Sequence, residues 1–273
     1  MPGISIVEAK SIIRALRLHY NYNFSNYALT AFRFRLDKIL GDHHIRYAEI
    51  LINRLLEDEE FFDDFLYEIS VPSTELFRDP EMWNILRMNI IPQLFKTFNN
   101  PIIWFPDAVE GKELFSFLIM AYNEKFLKDI KIVVSCISNK SVSMISSGRV
   151  NSISMDNGIE NFKKVYPNSD YHKFLIKKGK EFFFDTSLFE NITFYKQYLE
   201  HQPMPEKSDL IFFRNKFLNY TYEYEENILS NFINNLESGG YLITGNKENI
   251  TDIGAKDKPF QLTDLHERIY KKN

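Results

Sequence analysis

IIWFPDAVEGKELFSF, residues 102–117, is the stretch that decides the fold of this chain. Four apolar residues favour a short strand, a polar turn follows, and the next apolar residues return at helical spacing. In α/β proteins a nucleotide-like ligand lies against such a turn and the N-terminus of the following helix. These turns are usually rich in glycine, because a backbone that touches a ligand leaves no room for side chains. This turn has one glycine, Gly111, so it is a working ligand loop, an altered one, or only a connection.

Short β-rich runs and helical stretches alternate from residue 102 onward. The β-rich runs are 102–105, 130–136, 209–213 and 241–245, and the helical stretches are 111–128, 140–147 and 224–236. This alternation predicts a mostly parallel sheet that helices cover on both faces. Within residues 173–197, two strand-like runs meet at Lys178-Gly179, which predicts a small antiparallel β-hairpin subdomain at about 170–197.

The first third of the chain reads as helices. Apolar residues recur at helical spacing in segments such as 6–20 and 82–95. The pattern changes near residues 96–101, where we place a boundary. We therefore expect an N-terminal all-helical domain, residues 1–95, and an α/β domain, residues 96–273.

The composition narrows the class of protein. The net charge is −4 and the pI is about 5.9, so no global basic field argues for nucleic acid. The single cysteine, Cys136, cannot form an intrachain disulfide and excludes a multi-cysteine zinc site, which fits a reducing cytoplasm. No apolar run is long enough to span a membrane. His43-His44 has no evident third ligand, so we expect no metal.

Four segments follow one another in an order that is typical of a known family. STELFRDP (73–80) is similar to a Thr-x-Phe-Phe-Arg-Asp-Pro signature, and DLIFFRNKFLNY (209–220) to a strand that ends in Cys-Arg-Asn-Val. LESGGYLITGNKENI (236–250) is similar to a Gly-Gly-x-Leu strand followed by Gly and Glu, and FSNYALTAFRFRLDKIL (24–40) to a basic helix. Together they resemble the chemotaxis-receptor glutamate methyltransferases, the CheR family, from about residue 20 to 270.

The resemblance implies both a fold and an activity. The fold is a Rossmann-like S-adenosylmethionine methyltransferase domain with a mostly parallel sheet, a small antiparallel insertion and an N-terminal helical domain. The implied activity is a cytoplasmic, S-adenosylmethionine-dependent O-methyltransferase that acts on glutamate side chains of a protein such as a chemoreceptor. The implied partner is an acidic helix of that receptor-like protein.

The resemblance also assigns roles to individual positions. Nine positions match cofactor contacts: Thr74, Arg78, Gly111, Glu113, Cys136, Tyr198, Leu199, Arg214 and Asn215. The reacting region, with the catalytic roles, matches Arg78, Asn219 and Tyr220. Three basic residues of the helix that faces the substrate are Arg33, Arg35 and Lys38.

Several of these positions depart from the family pattern. Asp107 stands in place of a loop glycine, and Lys112 replaces a glutamate. Cys136 falls where such folds place an acidic residue on the ribose hydroxyls, and a thiol is a weak hydrogen-bonding group. Tyr198 replaces an asparagine on the adenine side, where its ring can stack on adenine or fill the pocket. The family tyrosine aligns with Asn219, one residue before Tyr220.

These departures leave two hypotheses from different classes. The chain is an active methyltransferase, or it is a catalytically inactive methyltransferase fold that has lost cofactor binding and keeps protein contacts. The two hypotheses differ in one observable feature. The cavity between Gly111, Cys136 and Tyr198 is open in an enzyme and filled by the tyrosine ring in the inactive protein.

Overall fold

The structure, a computed structural model, describes residues 3–70, 75–150, 155–179, 181–200, 207–251, 253 and 259–273. Its helices are α1 Ile6–Tyr20, α2 Leu29–Asp42, α3 Ala48–Glu57, α4 Glu59–Ile69, α5 Pro80–Ile85, α6 Ile91–Thr97, α7 Lys112–Asn123, α8 Asn139–Ser146, α9 Met155–Val165 and α10 Tyr222–Asn235. Its strands are β1 Ile102–Phe105, β2 Lys131–Cys136, β3 Arg149–Val150, β4 Leu175–Lys178, β5 Glu181–Phe184, β6 Ile192–Lys196, β7 Ser208–Phe212, β8 Leu236–Ile243, β9 Phe260–Asp264 and β10 Ile269–Lys272.

A seven-stranded sheet in the order β6-β2-β1-β7-β8-β10-β9 carries the α/β part. The strands β6, β2, β1, β7 and β8 run parallel, whereas β10 pairs antiparallel with β8 and with β9. The chain moves from β1 toward β2 and later returns to the other side of β1 as β7. The strand order therefore reverses between β1 and β7, and ligands in such sheets bind beyond the carboxyl ends of those strands.

The two faces of the sheet are buried against different helices. Trp104 and Ile211 face a cluster that includes α1 to α4 and α10. Ile103 and Phe212 face the opposite cluster, which contains residues of α5, α6 and α7. This split follows from the alternation of side chains along a strand, and it explains why β1 and β7 are apolar throughout.

The small antiparallel sheet is built differently from the predicted hairpin subdomain. Its strand order is β3-β5-β4, and β4 and β5 form the hairpin at Gly179, whose φ of 63° is one that glycine adopts readily. The segment 192–196, which the prediction placed in this subdomain, is the edge strand β6 of the main sheet. Its alternating apolar side chains fit a sheet edge as well as a hairpin, so its pattern could not separate the two.

The predicted fold class is confirmed, with a mostly parallel sheet, helices on both faces, a helical N-terminal region and a small antiparallel sheet. The domain boundary at residues 96–101 stays a prediction. Helices α5 and α6 belong to the cluster on one face of the sheet, whereas α1 to α4 belong to the cluster on the other face. The packing therefore changes between residues 69 and 76.

Candidate functional site

Two loops border the crevice where the strand order reverses. Residues 106–111 lead from β1 into α7, whose first turn carries Glu113, and residues 213–221 lead from β7 into α10. The second loop is held by the buried carboxylate of Glu248, which accepts the backbone N–H of Asn215 at 2.7 Å. Asn215 has a φ of 57°, so this bond fixes a tight turn at the strand end.

A buried ion-pair cluster lies between these loops, and Arg214 is its centre. Its side chain is fully buried, with Nη2 2.5 Å from Asp79 Oδ2 and Nη1 3.1 Å from Glu113 Oε1. Nη1 also donates to the carbonyl oxygen of Arg78 at 3.4 Å. Nε of Arg214 has no hydrogen-bond partner among the described residues. The structure thus brings the predicted site residues Arg78, Glu113 and Arg214 together, and adds Asp79 from the same Arg-Asp-Pro segment.

The altered loop after β1 holds a buried anion. Asp107 is 5% exposed and has a φ of 51°, the left-handed conformation of the glycine that it replaces. Its Oδ2 accepts a hydrogen bond from the Tyr220 hydroxyl at 3.2 Å and lies 4.0 Å from Lys216 Nζ. Burial raises the pKa of Asp107, and the Lys216 ammonium opposes this rise.

Lys216 is a residue that sequence reasoning missed. Its side chain is buried, and Nζ donates hydrogen bonds to the carbonyl oxygens of Pro106, at 2.6 Å, and of Asp107. The sequence does contain the signal, because Lys216 stands where the family strand has an apolar valine. A lysine at a buried strand end needs acceptors, and the loop after β1 supplies them.

The N-terminal helical region reaches the same loops. Tyr27 and Tyr220 form an isolated antiparallel bridge, and their rings lie 5.0 Å apart. The Arg35 Nη2 donates to Asn219 Oδ1 at 2.8 Å. Asn219 and Tyr220 therefore do lie at the crevice, but they contact α2 and the loop after β1.

At the predicted ribose position, Cys136 is fully buried at the end of β2. Burial raises the pKa of its thiol from 9.0 to about 12, so the thiol stays neutral near pH 7. Gly111, the retained loop glycine, is covered by α8, because a Cβ at this position would lie 2.9 Å from Ile145 Cγ2. The thiol of Cys136 is therefore closed to a ligand in this arrangement, and the Cα of Gly111 is packed against α8.

At the predicted adenine position, Tyr198 is 4% exposed. Its ring lies 4.7 Å from the ring of Tyr22, and its hydroxyl donates to the carbonyl oxygen of Asn23 at 3.1 Å. Leu199 is buried in the same apolar cluster. The tyrosine ring thus fills space with partners from the N-terminal region.

The cavity at the loop after β1 is small. Its volume is about 20 Å³, and the described residues that border it include Asp107, Gly111, Glu113 and Lys216. Such a volume holds about one water molecule, whereas small-molecule sites commonly measure roughly 300–1,000 Å³. Lys112 replaces a family glutamate and could attract a ligand carboxylate, but its Nζ lies 2.5 Å from Glu110 Oε2 and forms an ion pair with it.

A larger groove of about 740 Å³ separates α2 from the end of α4 and the loop after β1. Two of the three predicted substrate-binding residues, Arg35 and Lys38, line it. Arg33 does not line it, because its Nε and Nη2 donate to the carbonyl oxygen of Ile4 at 2.9 and 2.6 Å. Thr74, a predicted cofactor contact, lies outside the described residues.

The described part of the chain has neither a cluster of metal-ligating side chains nor a helix that could span a membrane. It contains no group of three or more His, Cys, Asp or Glu side chains placed to hold a metal ion. Its helices are all too short or too polar to cross a membrane.

A family model described as the CheR methyltransferase SAM-binding domain matches residues 72–267. The chain belongs to the CheR family. The matched segment contains both crevice loops and every predicted cofactor-binding position. The expectation of S-adenosylmethionine as the cofactor is confirmed at the level of the family, whose matched domain is defined by binding it.

CheR-like proteins from other bacteria are similar to the chain over most of its length. A Pseudomonas putida protein with the provisional name methyltransferase Cher3 is 25% identical over 98% of this chain and 97% of its own length. A chemotaxis protein methyltransferase of Listeria monocytogenes is 21% identical over 79% of each chain. Among solved structures, magnesium protoporphyrin IX methyltransferase of Synechocystis shows 12% identity and a TM-score of 0.38, over 82% of this chain and 96% of its own.

Only some of the predicted cofactor positions of this CheR-family chain carry side chains that suit S-adenosylmethionine. Arg78, Glu113 and Arg214 keep charged groups at the crevice, including the unpartnered Nε of Arg214, but Lys216 and Asp107 fill the adjoining loop. At the adenosine end, a neutral buried thiol replaces the acidic residue and the ring of Tyr198 fills space. The whole cofactor does not fit the arrangement of the described residues.

Proposed function

We propose that this chain is a CheR-family protein-binding module whose cofactor cleft is filled by its own side chains. The observation that carries this proposal is the burial of Tyr198 at the adenine position, with its hydroxyl bonded to the N-terminal region. Entry of a cofactor would require this ring to leave an aromatic cluster. Exposing a large buried aromatic side chain costs about 1.5–3 kcal/mol in transfer free energy alone.

The charged end of the cleft adds a second obstacle. Asp107 and Lys216 are both buried, their charged groups lie 4.0 Å apart, and the Lys216 ammonium donates hydrogen bonds to the loop carbonyls. A ligand that displaced either group would leave the other charge buried without its partner. Breaking a buried pair in this way costs about 3–5 kcal/mol.

The groove between α2 and α4 supports a protein partner with acidic side chains. Arg35 lines the groove and supplies one cation. Lys38 adds a second cation, and Phe34, which is 74% exposed, adds apolar surface. Three carboxylates also line the groove: Glu68 is paired with His43, Glu110 is paired with Lys112, and Asp42 is the third. An acidic amphipathic helix, as in a chemoreceptor-like protein, has both complementary features. We place this interaction in the cytoplasm, where the single cysteine stays reduced.

The second candidate function is S-adenosylmethionine-dependent methylation of protein glutamates. The unpartnered Nε of Arg214, beside Arg78 and Glu113, favours it, because a buried guanidinium N–H is suited to a carboxylate. This activity requires Tyr198 and the Asp107–Lys216 pair to move away from the positions that they have here.

One experiment separates the two functions. A fluorescent acidic helical peptide with glutamate pairs is titrated with the full chain, and the same mixture receives methyl-labelled S-adenosylmethionine. The binding module predicts a rise in anisotropy and no base-labile methyl ester. Accumulation of methyl ester on the peptide would establish the enzyme instead.

Charge-reversal variants locate the peptide site in the same assay. Lys38→Glu is expected to weaken peptide binding, because it places an anion in the groove. Lys10→Glu is the matched control, since Lys10 is exposed on α1 and does not line the groove. Equal effects of the two substitutions would mean that the peptide responds to net charge and not to the groove.

A further inference from the structure

The loop after β1 receives an ammonium group from within the chain. Lys216 lies in the loop that follows β7, which ends at Phe212. Its Nζ reaches across the crevice to two consecutive carbonyl oxygens, those of Pro106 and Asp107. The side chain passes the ring of Phe213, with Nζ 5.3 Å from the ring centroid. The ammonium is therefore bound at the position where the strand order reverses, which is the ligand position of this kind of sheet.

A carboxylate lies beside this ammonium. Oδ2 of Asp107 is 4.0 Å from Lys216 Nζ and accepts the Tyr220 hydroxyl at 3.2 Å. Both charged residues border the cavity of about 20 Å³. The crevice thus holds one cation and one anion close together, which are the two charges of an α-amino acid. S-adenosylmethionine carries that pair of charges on its methionine end.

Two features argue against a purely structural origin of the pair. An aspartate with φ of 51° is a less favourable choice than the glycine it replaces, so the fold alone does not require it. A buried ion pair is also often no more stable than apolar residues of the same volume. Asp107 and Lys216 nevertheless come from the two opposite loops of the crevice, and their charged groups meet beside the carbonyl oxygens of Pro106 and Asp107.

We propose that Lys216 and Asp107 are a built-in substitute for the amino-acid end of S-adenosylmethionine, and thus an internal occupant of the cleft. This inference rests on the proposed function, in which the cleft is closed by the chain itself. It also gives the closed cleft a mechanism at its charged end, independent of Tyr198. Removing the lysine side chain leaves an ammonium-binding spot lined by the carbonyls of Pro106 and Asp107 and by the Asp107 carboxylate.

Chemical rescue tests this spot directly. Lys216→Ala is expected to lower the melting temperature, because it leaves Asp107 buried and unpaired. Ethylammonium chloride then restores most of the loss, whereas sodium chloride at the same ionic strength does not, because the small amine refills the spot. The control is Lys196→Ala, whose lysine pairs with Asp63 at 2.7 Å, with side chains 35% and 16% exposed. Equal recovery of both variants, or no recovery of Lys216→Ala, would overturn the proposal.

A double variant keeps the proposal testable if Lys216→Ala does not fold. Asp107→Gly combined with Lys216→Ala removes both charges and restores the loop glycine, so no unpaired carboxylate remains. L-methionine at millimolar concentration is expected to raise the melting temperature of the double variant and not that of the natural chain, since a ligand that binds the folded state stabilises it. No shift in the folded double variant would overturn the substitute role.

The failures of the two proposals can be told apart. If the natural chain binds S-adenosylhomocysteine, the closed cleft is wrong, and with it the proposed function. If the natural chain does not bind it and neither rescue occurs, the closed cleft stands and the role of Lys216 is overturned.

Discussion

At the residue scale, burial decides what each altered position can do. Cys136 replaces an acidic residue and is fully buried. Asp107 and Lys216 are charged, yet they are also buried and paired. None of these three side chains is available to a ligand as it would be on the protein surface. The thiol is buried with a raised pKa, and the Lys216 ammonium is bound by the loop carbonyls 4.0 Å from the Asp107 carboxylate.

The first residue-scale prediction concerns the single cysteine. The folded chain should react with a thiol-specific disulfide reagent at pH 8 far more slowly than the urea-unfolded chain, because the thiol is buried and its pKa is raised to about 12. Since the unfolded thiol ionises first, this group lowers the stability of the fold as the pH rises above about 9. Reaction of the native chain at the rate of the unfolded one would contradict the burial.

The second residue-scale prediction concerns the ion-pair cluster. Arg214→Ala leaves Asp79 and Glu113 without their shared cation, so it should reduce the free energy of unfolding by about 3–5 kcal/mol. Arg149→Ala is the control, because its pair with Glu181 is about half exposed, and exposed pairs contribute roughly 0–1 kcal/mol. Urea denaturation measures the free energy of unfolding of both variants. Similar losses would show that the buried cluster stabilises the fold no more than the exposed ion pair does.

The sequence predicted which residues belong to the site better than it predicted the contacts that they make. The motif order indicated that Arg78, Glu113 and Arg214 belong together, and the structure joins them through the guanidinium of Arg214. The pairing of Lys216 with the loop after β1 joins residues from two distant segments, so no local pattern could reveal it. The partner of Arg33 is likewise remote, at Ile4, which is why its basic side chain was assigned to a substrate.

At the element scale, the regular parts of the fold were predictable and the edges were not. The strand β1 was predicted with its observed bounds, and β2 and β7 within one residue, because buried parallel strands are continuous apolar runs. The edge strand β6 was assigned to the hairpin, and β9 and β10 were not predicted. Edge strands have mixed side chains, and their partners are decided by the tertiary fold.

The element-scale prediction concerns the segment after β6. Tyr198→Ala removes the ring that joins this segment to the N-terminal helices, and it should cost about 3–5 kcal/mol of stability. Tyr198→Phe keeps the ring and removes the hydroxyl, with its hydrogen bonds to the Asn23 carbonyl oxygen and to Glu200 Oε1, so it should cost about 1–2 kcal/mol. Urea denaturation compares the two variants. Equal losses would mean that the hydroxyl, and not the filled space, holds the segment.

At the scale of the whole molecule, the N-terminal helices and the sheet share one site. The bridge between Tyr27 and Tyr220 and the bond from Arg35 to Asn219 connect α2 to the loop after β7. The ring of Tyr198 connects the segment after β6 to the same helical region. In the function that we propose, the helical region therefore helps to close the cofactor cleft, and the groove with Arg35 and Lys38 lies beside it.

Calorimetric titration of the full chain with S-adenosylhomocysteine tests the central claim most directly. We predict no heat of binding at millimolar ligand, because Tyr198, Asp107 and Lys216 occupy the space and the charges that the ligand needs. The Listeria monocytogenes relative is titrated with S-adenosylhomocysteine in parallel, and heat from that titration would show that the ligand and the calorimeter are sound. Micromolar binding to this chain would contradict the closed cleft and favour the methyltransferase.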